Sequence, residues 1–426
     1  MTIAELTRTM KLNSSPALSA SSEDLRNNAL CAIADALSAG RDKIFEANAK
    51  DLANADATGV PTPVKKRLRF DENKLSACLS GIGDLCGLPD PLRKVTLNRE
   101  LDEGLVLTRL TCPIGVIGVI FEARPDALVQ ISTLCLKSGN CAVLKGGSET
   151  RTTNRVLFDI IYEAAVKAGL PENCLALCEE RSEISELLKC EGNVDLIIPR
   201  GSNACVRYIM DNTHIPVMGH ADGICHTYID SEADPEKTVK IVTDAKTQYV
   251  SVCNATETLL VNRAIVNTIL PKVRDALLEK NVKLRHTAEL EPVLHGEVIA
   301  DDDFANEYLD YILAVKAVDS VDEAIAHINR FGSHHTDAII TENKATADRF
   351  CALVDSADCF VNCSTRFADG YRFGFGAEVG ISTGKLHARG PVGLEGLVTY
   401  KYRLEGNGHI VADYAEGRSA FHFKDL

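Results

Sequence analysis

The sequence is short of the features that mark several common function classes. Positive charge is scarce: 46 Lys and Arg stand against 60 Asp and Glu, a net −14. Such a field repels nucleic acid and anionic membranes, so neither is an expected partner. Long apolar runs are missing. The longest, residues 114–121, is broken by glycines and falls far below the ~20 residues that cross a bilayer. The N-terminus has no basic-then-apolar leader pattern, so a cytoplasmic location is expected. Neither GxGxxG nor a P-loop occurs, which sets aside the two standard glycine-rich nucleotide grips. There is no short-period repeat and no low-complexity tract.

Cysteine is plentiful at 15, yet it lacks a framework. The count is odd and the spacings are scattered. Cys174/Cys178 and Cys359/Cys363 find no second pair or nearby His to complete a zinc site. Most lie in apolar runs, so reduced, buried thiols are expected and a metal is not. Cys253 differs. It sits in a small, polar turn, Ser251-Val252-Cys253-Asn254, just before an apolar run. A thiolate placed there is a nucleophile able to form acyl intermediates. His214, His220 and His226 are partners by number only, and no spacing links them to it.

At 426 residues, with 45% hydrophobic and 25% charged content, the chain holds two ordinary globular cores. The first hundred residues read as helix. Ser21 is expected to cap a helix burying Leu25, Ala29, Ile33 and Leu37 and ending at Gly40, and a second helix runs over 41–57. From residue 101 strands and helices alternate. Strands are expected at 105–111, 114–121, 141–145, 175–178 and 194–199, then at 225–229, 258–261, 312–315, 336–340 and 359–362. Helices fall between them, including 125–137, 150–168, 235–246, 264–280, 321–329 and 344–353. This is βαβ logic and implies an α/β protein with doubly wound parallel sheets. The tail, 397–414, alternates like an extended arm. It either pairs with a neighbouring subunit or closes a hairpin on its own domain.

Two loops suit an anion. Lys145-Gly146-Gly147-Ser148-Glu149 and Arg200-Gly201-Ser202 each leave a strand and open a helix, offering free N–H groups. Each also reads as an ordinary strand-to-helix turn. Arg124 either holds a carboxylate or phosphate or pairs with Glu122 or Asp126. Ser364-Thr365-Arg366 brings polar donors to a strand end, and a glycine-rich stretch over 373–380 follows.

Several of these runs, in this order, resemble the gamma-glutamyl phosphate reductase family. They are Pro113-Ile114-Gly115-Val116-Ile117-Gly118-Val119-Ile120-Phe121-Glu122-Ala123-Arg124-Pro125-Asp126, Leu144 to Glu149, Gly219-His220 with Gly223-Ile224-Cys225-His226, and Val252-Cys253-Asn254-Ala255 with Glu257 to Val261. Ser364-Thr365-Arg366-Phe367 and Gly376-Ala377-Glu378-Val379-Gly380 complete the set. The resemblance implies an aldehyde dehydrogenase-like fold of two doubly wound parallel-sheet domains and a small β oligomerisation arm. The cofactor domain would be 1–98 and 113–225, the catalytic domain 226–390, and the arm 99–112 and 396–426. It implies NADPH-dependent reduction of L-glutamate 5-phosphate to L-glutamate 5-semialdehyde, the second step of proline synthesis from glutamate, through a thioester at Cys253.

Lys145, Gly146, Gly147, Ser148, Gly201, Ser202 and Glu378 would then hold the cofactor. Ser364, Thr365 and Arg366 would hold the glutamyl end, with Asn254 beside the nucleophile and Arg124 as a phosphate clamp. Ser148 stands where NAD-preferring relatives carry a glutamate, which favours NADPH. Hydrolytic relatives carry a glutamate base in a Glu-Leu-Gly-Gly segment, and the matching stretch here, Met218-Gly219-His220-Ala221-Asp222-Gly223, has none in register. They also carry an oxyanion-holding asparagine where Ala123 stands, so the oxyanion is expected on backbone N–H groups such as that of Cys253. A homo-oligomer is expected, with glutamate 5-kinase as a partner that hands over the acyl phosphate. The alternatives are a hydrolytic aldehyde dehydrogenase and a catalytically silent binding protein of the same fold.

Overall fold

The computed structural model describes residues 1–376 and 378–426, with the side chains of all of these but residues 62, 63 and 181. The chain forms two compact units. One holds Met1–Val217, Gly376–Gly380 and Val392–Leu426; the other holds Met218–Phe375 and Ile381–Pro391.

In the first unit the helix Glu23–Ala39 begins one residue later than expected. Ser22 is its cap, accepting the Leu25 N–H at 3.1 Å, while Ser21 ends the helix Ser15–Ala20. Its buried face is Arg26, Ala29, Leu30, Ile33 and Leu37. Arg26 is wholly buried and pays its desolvation back through a fork: both Asp90 oxygens lie at 2.7 Å, and the Lys137 carbonyl takes Nε–H at 3.1 Å. The second helix, Arg41–Ala57, follows the expected bounds.

The sheet of this unit has four parallel strands, in the order Leu175–Cys178, Cys141–Lys145, Val116–Phe121, Leu196–Arg200. Val116–Phe121 is buried at every residue, as its β-branched run requires of a central strand. Because the strands are parallel, residues 122–124, Gly146-Gly147 and Gly201-Ser202 all leave the same sheet edge. The chain winds outward from Val116–Phe121 to one side and then crosses to the other. The switch in direction opens between Val116–Phe121 and Leu196–Arg200, where such sheets receive ligands.

A separate antiparallel sheet orders Val398–Glu405, Leu105–Pro113, Val95–Asp102 and Lys424–Asp425. The extended tail thus pairs with a strand of its own chain, Tyr402 opposite Arg109. Tyr400, Tyr402 and Leu404 remain exposed on it.

The second unit is built on seven parallel strands. Their order is Glu297–Val298, Lys283–His286, Ile312–Val318, Thr256–Asn262, Cys225–Ile229, Thr336–Ile340, Asp358–Val361. The helix expected over 264–280 is broken. A 3-10 turn, Arg263–Ile265, is followed by a helix starting only at Leu270. Pro271 is the cause: it has no N–H to give and fits only the first helical turn.

A buried ion pair ties the helix Pro235–Thr247 to the strand Thr256–Asn262. Lys246 Nζ lies 2.7 Å from Glu257 Oε2, both side chains fully buried, and the Leu309 N–H reaches the other Glu257 oxygen at 3.2 Å. Burial pushes the Glu257 carboxyl up to about 7 and the Lys246 ammonium down. Lys246→Met strands that carboxyl and is expected to cost about 3–5 kcal/mol of stability. Lys246→Met with Glu257→Gln should recover most of it. Urea unfolding followed by circular dichroism checks both, and equal losses would show that the charges are not what matters.

Candidate active site

Cys253 lies in the turn between the helix Pro235–Thr247 and the strand Thr256–Asn262, half-buried, with the Ala255 N–H closing the turn on the Val252 carbonyl at 3.1 Å. Two contacts hold its backbone. The Cys225 thiol reaches the Cys253 carbonyl at 3.1 Å. Gly223 packs so closely that a Cβ there would collide with the Cys253 backbone. Gly223 therefore serves as an approach surface, and any larger residue would displace the thiol.

Two imidazoles lie near the sulfur. A ring nitrogen of His220, a ring nitrogen of His335 and Cys253 Sγ all lie within 4.8 Å of one another. The two rings pack edge to face, centroids 4.8 Å apart. Of the three histidines suggested by number, only His220 joins the cysteine. His214 is exposed and belongs to the other unit. His226 is buried against His327, with Nδ1 near the Ile224 carbonyl and Asp337. His335 escaped the sequence reading. It stands one residue before the strand Thr336–Ile340, which pairs with Cys225–Ile229. That strand neighbourhood, once known, is the signal that finds it.

Arg366 also reaches this site. It is 9% exposed, its Nε–H donates to Gln248 at 3.0 Å, and its charge is felt at Cys253. Burial, then the neighbouring Arg372 cation, holds the guanidinium below its ordinary range. Ser364 and Thr365 turn inward. The Ser364 hydroxyl accepts the Arg366 N–H at 3.3 Å. The Thr365 hydroxyl lies 3.2 Å from that of Thr256, which in turn meets Thr227 at 2.9 Å. Asn254, 5% exposed, donates Nδ2–H to the Ala368 carbonyl at 2.8 Å and leaves Oδ1 buried without a partner.

The remaining expected site residues lie in the first unit. Lys145 ends its strand 5% exposed, with Nζ donating to the Gly146 carbonyl at 2.6 Å. A Cβ at Gly146 would press on the Asn154 side-chain amide and one at Gly147 on the Glu149 carboxylate. Ser148 opens the short 3-10 turn Ser148–Thr150. Asp51 closes the N-terminus of the following helix, accepting the Thr153 N–H at 2.7 Å and its hydroxyl at 2.6 Å. At the neighbouring strand end, the Glu122 carboxylate lies over Gly201 and accepts the Ser202 N–H at 2.7 Å. Glu149 accepts the Ala123 N–H at 2.7 Å, which holds Ala123 in the left-handed region at φ 51°. The Arg200–Ser202 loop and the segment after Phe121 thus each hold a carboxylate on a backbone N–H. Arg124 stands at the N-cap of the helix Pro125–Lys137 without a side-chain capping bond, its side chain exposed, while Asp126 pairs with Lys74 at 2.9 Å. Glu378 lies 3.7 Å from Arg200. Ala377 of the glycine-rich motif falls outside the described residues.

Residues 15–306 match the model of the aldehyde dehydrogenase family. The chain is 55% identical over 421 residues to the gamma-glutamyl phosphate reductase of Acetivibrio thermocellus, covering 99% of this chain and 97% of that one. It is 55% identical over 426 residues to that of Pelotomaculum thermopropionicum, covering 100% and 98%. Its fold is similar to the crystal structure of gamma-glutamyl phosphate reductase from Thermotoga maritima, with TM-score 0.92 and 36% identity over 96% of this chain and 98% of that one. A half-buried cysteine turn flanked by imidazoles and a guanidinium, on this fold and with these relatives, places the chain in the aldehyde dehydrogenase family and, within it, among the gamma-glutamyl phosphate reductases.

Proposed function

We propose that the protein reduces L-glutamate 5-phosphate to L-glutamate 5-semialdehyde and phosphate with NADPH, the second step of proline synthesis from glutamate. The observation that carries this reading is the Cys253 turn: a thiol fixed by Gly223, beside the Arg366 cation, with two imidazoles gathered near the sulfur. The sulfur attacks the acyl carbon, the bond from that carbon to the phosphate oxygen breaks, and a thioester remains. Phosphate is a good leaving group, so no water needs activation. When bound, the nicotinamide cofactor supplies the hydride that reduces the thioester. The hydrolytic alternative needs a base for water, which the stretch Met218–Gly223 does not place as a glutamate.

The residues proposed to hold the cofactor are Lys145, Gly146, Gly147, Ser148, Gly201, Ser202 and Glu378. The fit is supported by the Glu122 carboxylate on the Ser202 N–H, a side-chain anion where a phosphate oxygen would be accepted. Arg366, oriented by Gln248, is the candidate for the substrate's α-carboxylate, with Ser364 and Thr365 shaping its turn and Asn254 beside the thiol. Arg124, exposed at a helix start, remains the proposed phosphate clamp. A homo-oligomer using the antiparallel arm (99–112 and 396–426), a cytoplasmic location and delivery by glutamate 5-kinase belong to the same reading. Among the described residues, no helix is long and apolar enough to cross a membrane.

Cys253→Ala is expected to keep its fold and lose NADP⁺ reduction with glutamate semialdehyde, while the wild-type reaction depends strictly on inorganic phosphate. Full activity in that variant, or wild-type turnover without phosphate, overturns the mechanism. Gly223→Ala should lower turnover by about 100-fold through misplacement of the thiol, with its melting temperature checked alongside. Ser148→Glu should shift the ratio of NADPH to NADH dissociation constants at least ~10-fold toward NADH, about 1.4 kcal/mol. Fluorescence titration reads this directly, and an unchanged ratio would remove Ser148 from cofactor choice.

A further inference from the structure

We propose that His220 is the acid–base residue of the Cys253 site and that His335 is its positioning partner. Hydrogen bonds assign the protons. His220 Nδ1 lies 2.9 Å from the Ile381 carbonyl. A carbonyl only accepts, so Nδ1 carries the hydrogen and Nε2 keeps a lone pair. The same logic fixes His335. Its Nδ1 lies 2.8 Å from the Thr336 hydroxyl, whose own hydrogen goes to Asp358 at 3.1 Å. His335 Nδ1–H therefore donates, and its Nε2 is bare, buried and without a hydrogen-bond partner. One ring nitrogen of each imidazole lies within 4.8 Å of the Cys253 sulfur, and with both Nδ1 atoms engaged, Nε2 is the nitrogen left to act on the thiol.

Access to solvent separates the two. His335 is 1% exposed and enclosed on every side. His220 is partly exposed and can exchange its proton with solvent. His335 instead sets the edge of the His220 ring and offers Nε2 as an acceptor once His220 is charged.

The proton inventory closes. His220 Nε2 takes the Cys253 proton as sulfur bonds to the acyl carbon. The carbon–oxygen bond to the phosphoryl group breaks, its electron pair leaves with the phosphate, and His220 gives that oxygen the proton. After reduction, the hemithioacetal oxyanion collapses, the carbonyl re-forms and the carbon–sulfur bond breaks with its pair on sulfur. A solvent proton, relayed by His220, restores the thiol. One proton is consumed per turnover, as the reaction requires.

The inference rests on Cys253 being the nucleophile, and the test separates the two. Cys253→Ala, His220→Ala and His220→Gln are compared in phosphate-dependent oxidation of glutamate semialdehyde, with added imidazole and with NADPH binding as the fold control. His220→Ala should lose about 100- to 10,000-fold in kcat/KM, and imidazole should restore at least ~10-fold of this, which a structural lesion would not allow. Alkylation of Cys253 by iodoacetamide at neutral pH, read by mass spectrometry, should slow at least ~10-fold in His220→Gln. An active His220→Ala, a folded inactive one that imidazole does not revive, or unchanged alkylation overturns the proposal. Active Cys253→Ala removes both readings, whereas inactive Cys253→Ala beside active His220→Ala removes this one alone.

Discussion

The contact of Gly223 with the backbone of Cys253 is the constraint on which the site depends. Without a side chain at 223, the turn before Thr256–Asn262 settles against the segment before Cys225–Ile229, and the Cys225 thiol then bonds the Cys253 carbonyl. This fixes the sulfur by main chain rather than by a flexible side chain. The neighbouring strand Thr336–Ile340 brings His335 to the same place, and the Thr256–Thr365 hydroxyl contact ties in the turn that carries Arg366. Thiol, imidazoles and cation are thus positioned by strand register and one close approach.

The two units use opposite ends of their strands. In the first, the anion-accepting loops leave the carboxyl ends, where helices begin and backbone N–H groups are free. In the second, His220, Cys253 and His335 all precede strands, so they gather at amino ends. A helix C-terminus approaching from that side carries no spare N–H donors. Charge control there falls to side chains, and the buried Arg366 and the paired Lys246 and Glu257 supply it.

Most of the fold was legible because buried parallel strands leave β-branched runs. Cys141–Lys145, Cys225–Ile229 and Thr336–Ile340 fall where such runs end at turn residues. Val95–Asp102 and Lys283–His286 were missed for the converse reason: they are polar, and the first is only partly buried along its length, so no alternation reports them. The apolar pattern over 264–280 continues through Pro271, whereas the helix begins only at Leu270. Cys253 was visible as an isolated thiol in a small polar turn. His335 was not, because its partnership with Cys253 exists only after three strands align, and neither spacing nor composition encodes that alignment.

The burial of the other thiols has a meaning beyond packing. Cys78, Cys135, Cys174 and Cys178 are pushed up to about 12 by desolvation, and Cys86 to about 11. Cys225, against Cys253, is held well above the ordinary thiol range for the same reason. Such thiols stay protonated in neutral water and are poor targets for electrophiles and oxidants. A chain this rich in sulfur is therefore chemically quiet over most of its length, and the fold confines reactivity to the few places where a thiolate is solvated or charge-compensated. Oxidative injury would consequently register first as lost catalysis and only later as lost structure.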